Sequence, residues 1–135
     1  MTGKELLDKI IRLRKAIDYR NTKIEALIAQ AENTSSRLTG MPHNPSPDHS
    51  PMATAVIKKI DLENEVTKLT AERDGLVQKI DLVGDDVLSR ILNLRYAQEA
   101  RWDEIMAEMC FSETHIHRLH RKAITILDEK LKEGS

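Results

Sequence analysis

The sequence predicts an all-α protein: a long antiparallel helical hairpin of coiled-coil character, followed by a group of shorter helices. Three observations carry this. Aromatic residues make up only 3% of the 135 residues, against 40% hydrophobic and 32% charged, a balance typical of long helices. Apolar residues recur at alternating spacings of four and three in two separate stretches, which is the seam of helices packed side by side. All four prolines fall in one segment between those stretches, where they forbid helix and force a connection.

The first stretch runs through Leu6, Ile10, Leu13, Ile17, Arg20, Ile24, Leu27 and Ala31, with Arg20 the one polar member. No glycine or proline falls between Lys4 and Arg37, so one helix is expected over about 4–34. Residues 35–51, SSRLTGMPHNPSPDHSP, hold Pro42, Pro45, Pro47, Pro51 and Gly40 and are expected to form a mobile loop. His43 and His49 in it read as solvated loop histidines. A second helix is expected over about 52–83, on the seam Leu62, Val66, Leu69, Arg73, Leu76, Ile80 and Val83. Gly75 weakens it by roughly 1 kcal/mol relative to alanine. Arg20 and Arg73 are expected to set register or orientation. Residues 1–83 thus read as a helical hairpin. Leu7, Ile11, Ile28 and Val77 lie off the seam, and two helices alone leave them exposed. The hairpin is therefore expected to self-associate as a homodimer with a four-helix core. The competing reading packs this spare face on the C-terminal domain.

Gly84 and the pair Asp85–Asp86 end the pattern, and residues 84–135 read as a second domain. Three short helices are expected there: Asp86 to Tyr96, Trp102 to Met109, and Ser112 to Leu131. Only Cys110 and Phe111 separate the last two. Two helices joined by so short a turn, with serine opening the second, form a helix-turn-helix pattern. Ser112 can cap the unpaired N–H groups of the last helix. Phe111 can fill the angle between the helices, over a small core of Ile105, Met109, Ile116 and Leu119.

The chain has 21 Lys and Arg against 22 Asp and Glu, a formal charge of -1. No global basic field exists, so any nucleic-acid binding must come from a local patch. The last helix supplies one. At 100° per residue, Ile116, Leu119, Ala123 and Leu127 share one side and His120 lies at its edge. Thr114, Arg118, Arg121 and Thr125 point away, flanked by His115, His117 and Lys122. Residues 112–123 carry Arg118, Arg121 and Lys122 against Glu113 alone. Forked donors on a groove-sized helix are what major-groove reading requires.

Residues 91–127, ILNLRYAQEARWDEIMAEMCFSETHIHRLHRKAITIL, resemble region 4 of bacterial sigma factors. The likeness runs through LRY at 94–96, WDEI at 102–105, FS at 111–112, and Ile116, Leu119, Ala123 and Leu127. RLH at 118–120 and IDLENEV at 60–66 look closer still to small phage and prophage proteins that pair an N-terminal helical segment with a sigma-like domain. Relatives of these proteins include activators of phage late genes. The resemblance implies a sequence-specific transcription regulator of double-stranded DNA in a bacterial cytoplasm. It places Glu113, Thr114, His117 and Arg118 at base-reading positions, and Arg121 and Lys122 on backbone phosphate. It also implies two rivals: a sigma-like module that docks on RNA polymerase, or a small-terminase-like DNA-packaging subunit. Three positions depart from the pattern. Met106 stands where a small residue is usual, Cys110 where glycine often makes the turn, and Arg101 where a serine or threonine cap precedes the tryptophan.

Other chemistries find little support. His115 and His117 project about 200° apart on a helix, and no carboxylate or thiolate is spaced to complete a metal site with His117 and His120. His120 reads as a hydrogen-bonded core histidine, and His117 as the histidine that faces a base, with a pH-sensitive contact. The single Cys110 forms no internal disulfide, fits a reducing compartment, and has no partner base. Trp102 reads as a structural plug. Asp85–Asp86 and Asp103–Glu104 read as helix N-terminal charges that suit the dipole. No enzyme, metal or cofactor is expected, and neither a leader nor a membrane span.

Overall fold

The computed structural model describes residues 1–38 and 51–134. Among them every regular element is helical: α1 (Gly3–Leu38), α2 (Pro51–Lys79), a 3₁₀ turn (Ile80–Val83), α3 (Asp86–Leu92), a π-helical turn (Asn93–Ala97), α4 (Trp102–Met109) and α5 (Glu113–Glu133). None is long and apolar enough to cross a membrane. Most of the proline-rich segment, with His43 and His49, lies outside the described residues.

Several helix boundaries differ from expectation: the helix expected over Asp86 to Tyr96 gives way to a π-helical turn after Leu92, and the last helix runs to Glu133 rather than Leu131. α1 continues past Thr34 to Leu38, because SSRL contains neither proline nor glycine and Gly40 comes only later. α2 begins at Pro51 rather than after it, since a proline in the first turn gives up an N–H that has no helical partner anyway. At its other end α2 tightens into the 3₁₀ turn and stops at Gly84, whose φ of 76° is left-handed and suits glycine.

The chain forms two compact units. The first joins Met1–Arg14 to Glu72–Ser135. Its interior includes Leu6, Ile10, Ile80, Leu92 and Leu127, all 0% exposed. Ile91, Leu94, Ile105 and Ile116 form one buried cluster, with Trp102, Met106, Met109, Phe111 and Leu119 packed against it. α3 and the 3₁₀ turn both pack along α5. The start of α1 is tied in at two points. The Gly3 N–H donates to the Asp128 carboxylate, and a Cβ at Gly3 would stand only 3.1 Å from the Ile124 carbonyl oxygen. Arg14 donates to the Ala97 carbonyl and pairs with Glu99 at 3.2 Å.

The expected division at residues 83 and 84 therefore falls inside this unit. The physical reason is burial: Leu7, expected on an exposed face, is 1% exposed. Ile11 and Val77 are half-buried. All three belong to the first unit.

The second unit is Lys15–Ala71. Ile17 and Ala55 are buried, while Ile24, Leu27, Leu62, Val66 and Leu69 are half-buried. The seam residue Arg20 meets Glu65 at 3.1 Å and its own helix at the Ala16 carbonyl. It thereby links α1 to α2, though a solvent-exposed pair contributes at most about 1 kcal/mol. A groove of about 520 Å³, lined by Ala26, Leu27 and Leu62 with Lys23, Lys58 and Asp61, runs along the same two helices. Ile28, Val56, Ile57 and Ile60 stay exposed. Arg73, the other seam arginine, lies in the first unit and pairs with its neighbour Asp74.

Candidate nucleic-acid interface

α4 and α5 are each started and stopped by local chemistry. At the N-cap of α4, the Arg101 N–H and Nε both donate to Glu104 Oε1 at 3.1 Å. Arginine has no acceptor to offer the next turn, so the Glu104 carboxylate does the work that a serine or threonine would share. α4 ends at Cys110, which takes the left-handed conformation (φ 58°) and donates its N–H to the Met106 carbonyl. A non-glycine residue there costs about 1–2 kcal/mol, and glycine would avoid that cost. Ser112 then caps α5, its Oγ accepting from the His115 N–H at 3.3 Å. Asp85 caps α3 the same way, accepting from the Leu88 N–H at 3.0 Å.

α5 has two unlike sides. Ile116, Ala123 and Leu127 are 0% exposed. Glu113, Thr114, Arg118, Arg121, Lys122 and Thr125 are exposed. Of the predicted site residues, five thus lie on one solvent-facing surface of a helix whose other side is held in a core. His117 is different. Its ring is half-buried and meets Trp102 edge-on at 4.8 Å, at the margin of that surface. Arg118 is not free either: its Nη2 lies 2.9 Å from His115 Nδ1. The His115 ring in turn meets Phe111 edge-on at 4.6 Å.

Trp102 is more than a plug. It touches His117 and also His120, the latter at 4.8 Å, and the Arg95 guanidinium lies over its ring at 4.8 Å. His120 stacks on Tyr96 at 5.8 Å, and its Nε2 is 2.8 Å from the Tyr96 hydroxyl. Burial raises the Tyr96 hydroxyl above its ordinary value, against the opposing pull of the Arg95 charge. Burial also lowers His120, aided by the nearby charges of His117, Arg95 and Arg121, from 6.5 to about 4. A neutral imidazole offers one donor and one acceptor nitrogen, so the tautomer sets the direction of this bond to the hydroxyl. This joins α5 to the π-helical turn, whose end is shaped by a left-handed Glu99 (φ 53°) and by the Arg95 bond to the Ala100 carbonyl at 3.2 Å.

The lowered His120 value sets an acid limit on stability. The folded protein holds the ring neutral, whereas the unfolded chain protonates it near 6.5. The contribution is complete above that value and is lost as pH falls from 6.5 toward about 4. Solvent screening of a half-exposed ring reduces it to about 1–2 kcal/mol. Urea unfolding across this range is expected to show the loss in the wild type and a shallower slope in His120→Phe. Equal slopes would remove His120 from the account.

Sequence reasoning missed the Tyr96–His120 bond, the Arg95–Trp102 contact and the Arg118–His115 bond. The first has no local signal, its partners lying 24 residues apart. The last had one, a spacing of three on a helix. Among the described residues no group of three or more His, Cys, Asp or Glu side chains is placed to hold a metal ion. Comparison with protein-family models, with curated proteins and with solved structures returned no match. The functional reading rests on the residues and their geometry.

Proposed function

We propose that the protein is a sequence-specific DNA-binding transcription regulator of phage or prophage type, with α4 and α5 as a helix-turn-helix and α5 lying in the major groove. One observation carries the reading. Thr114, Arg118, Arg121 and Lys122 are exposed together on the first three turns of a helix whose opposite side holds the buried Ile116, Ala123 and Leu127. A fixed helix with forked donors facing outward can meet base edges and phosphates without first being ordered. Glu113, Thr114 and Arg118 then read bases, with His117 at the edge of the contact, and Arg121 and Lys122 engage phosphate. The low overall charge suits a protein that discriminates sites rather than coating DNA.

In this reading α1 and α2 form an antiparallel hairpin, and the exposed Ile28, Val56, Ile57 and Ile60 are the surface through which two copies associate. A dimer presents two reading helices to two half-sites.

Selection from a randomised duplex pool at moderate salt tests this. An enriched motif is expected, in two copies spaced by whole helical turns. Failure to enrich any motif would overturn the proposal and favour docking on RNA polymerase, to be tested by pull-down. A ring-sized mass in solution would instead favour a DNA-packaging subunit.

A further inference from the structure

We propose that His115 is a positioning residue for Arg118: its imidazole Nδ1 holds the guanidinium in the pose that reads a base. The proposal rests on the DNA-reading assignment of α5 and adds a residue to its machinery.

Arg118 Nη2 and His115 Nδ1 are 2.9 Å apart. A guanidinium has five N–H donors and no acceptor. Nδ1 must therefore supply the lone pair, which makes His115 neutral with its proton on Nε2. The ring is itself held. Phe111 meets it edge-on at 4.6 Å, and it lines a cleft of about 290 Å³ with Asp85, Leu88, Leu119 and Lys122. Its backbone N–H is the one that Ser112 caps. The cap, the aromatic contact and the histidine bond therefore form a chain ending at Arg118.

An unrestrained exposed arginine loses several rotamers on binding. One bond to Nη2 orders Arg118 beforehand and uses one of its two hydrogens, and the other still forms a fork with a neighbouring N–H for the two acceptors of a guanine edge.

Two measurements test the proposal. In the DNA-free protein, nitrogen NMR of the His115 ring is expected to show the lone pair on Nδ1 at mildly alkaline pH; a proton on Nδ1 would overturn the proposal without any DNA. Pool selection then compares wild type, His115→Phe, His115→Asn and Arg118→Ala. His115→Phe keeps the ring contact with Phe111 and lacks the acceptor. It is expected to lose preference about ten-fold at the same base position that Arg118→Ala relaxes, with an unchanged salt slope. His115→Asn, which keeps an acceptor, should recover part of it. A wild-type motif that His115→Phe reproduces in full would overturn the positioning role and spare the DNA reading. No motif from any variant would overturn the DNA reading, and the positioning role with it.

Discussion

Ile116→Ala is expected to lower the unfolding free energy by about 2–5 kcal/mol. Ile116 is 0% exposed and shares its cluster with Ile91, Leu94 and Ile105. These residues come from α3, the π-helical turn, α4 and α5, so one side chain supports four elements. Removing most of it forfeits the transfer free energy and leaves a cavity that several helix axes cannot all close. Met106, Met109 and Leu119 pack against the cluster, and a methionine that moves into the space would keep the loss toward the lower limit. Ile57→Ala is the matched control. Ile57 is 60% exposed, and substitutions at such sites usually fall within about 0.5 kcal/mol. Urea unfolding of both variants decides the matter. Equal small effects would mean that Ile116 does not hold the cluster together.

Arg118→Ala is expected to cost about 1–3 kcal/mol of specific DNA affinity and to relax preference at one base position. The estimate follows from bidentate recognition, in which the wrong base leaves a desolvated donor unpaired. Lys122→Ala makes the contrast. Phosphate contact is indifferent to sequence, so its loss should weaken binding evenly and reduce the salt slope by about one. Both residues are exposed, so neither change should disturb folding. Titrations of a selected duplex and a scrambled one, at two salt concentrations, separate the two behaviours. If Arg118→Ala and Lys122→Ala behave alike, α5 does not read bases through Arg118.

Much of this protein was legible residue by residue. The type and place of Ser112 predict the cap of α5, and its Oγ does accept from the third residue on. Asp85 behaves likewise at α3. The buried stripe Ile116, Ala123 and Leu127 follows from a period of 3.6 and needs no other part of the chain. His120 was read as a hydrogen-bonded inward histidine, and it is bonded to Tyr96. The end of α1 was less legible: Ser35 and Ser36 look like loop residues, yet a helix already in progress extends through them at small cost.

Leu7, Ile28 and His117 mark the boundary of what local pattern can say. Leu7 and Ile28 occupy similar off-seam places, yet one is 1% exposed and the other 40%. The difference lies in which compact unit each belongs to, and no helical period encodes that. His117 projects from the flank of the reading surface on a helical wheel, but Trp102 takes up its ring. By itself the sequence determined which segments are helical, where each begins to within about a residue, and which stripe of each is apolar, because capping, proline geometry and periodicity act over a few residues. Only the tertiary structure decided that the first turns of α1 join the C-terminal helices, that burial holds His120 neutral beside Tyr96, and that Trp102 takes up His117. Those outcomes depend on burial and on partners distant in the chain, whose meeting is a property of the packed core.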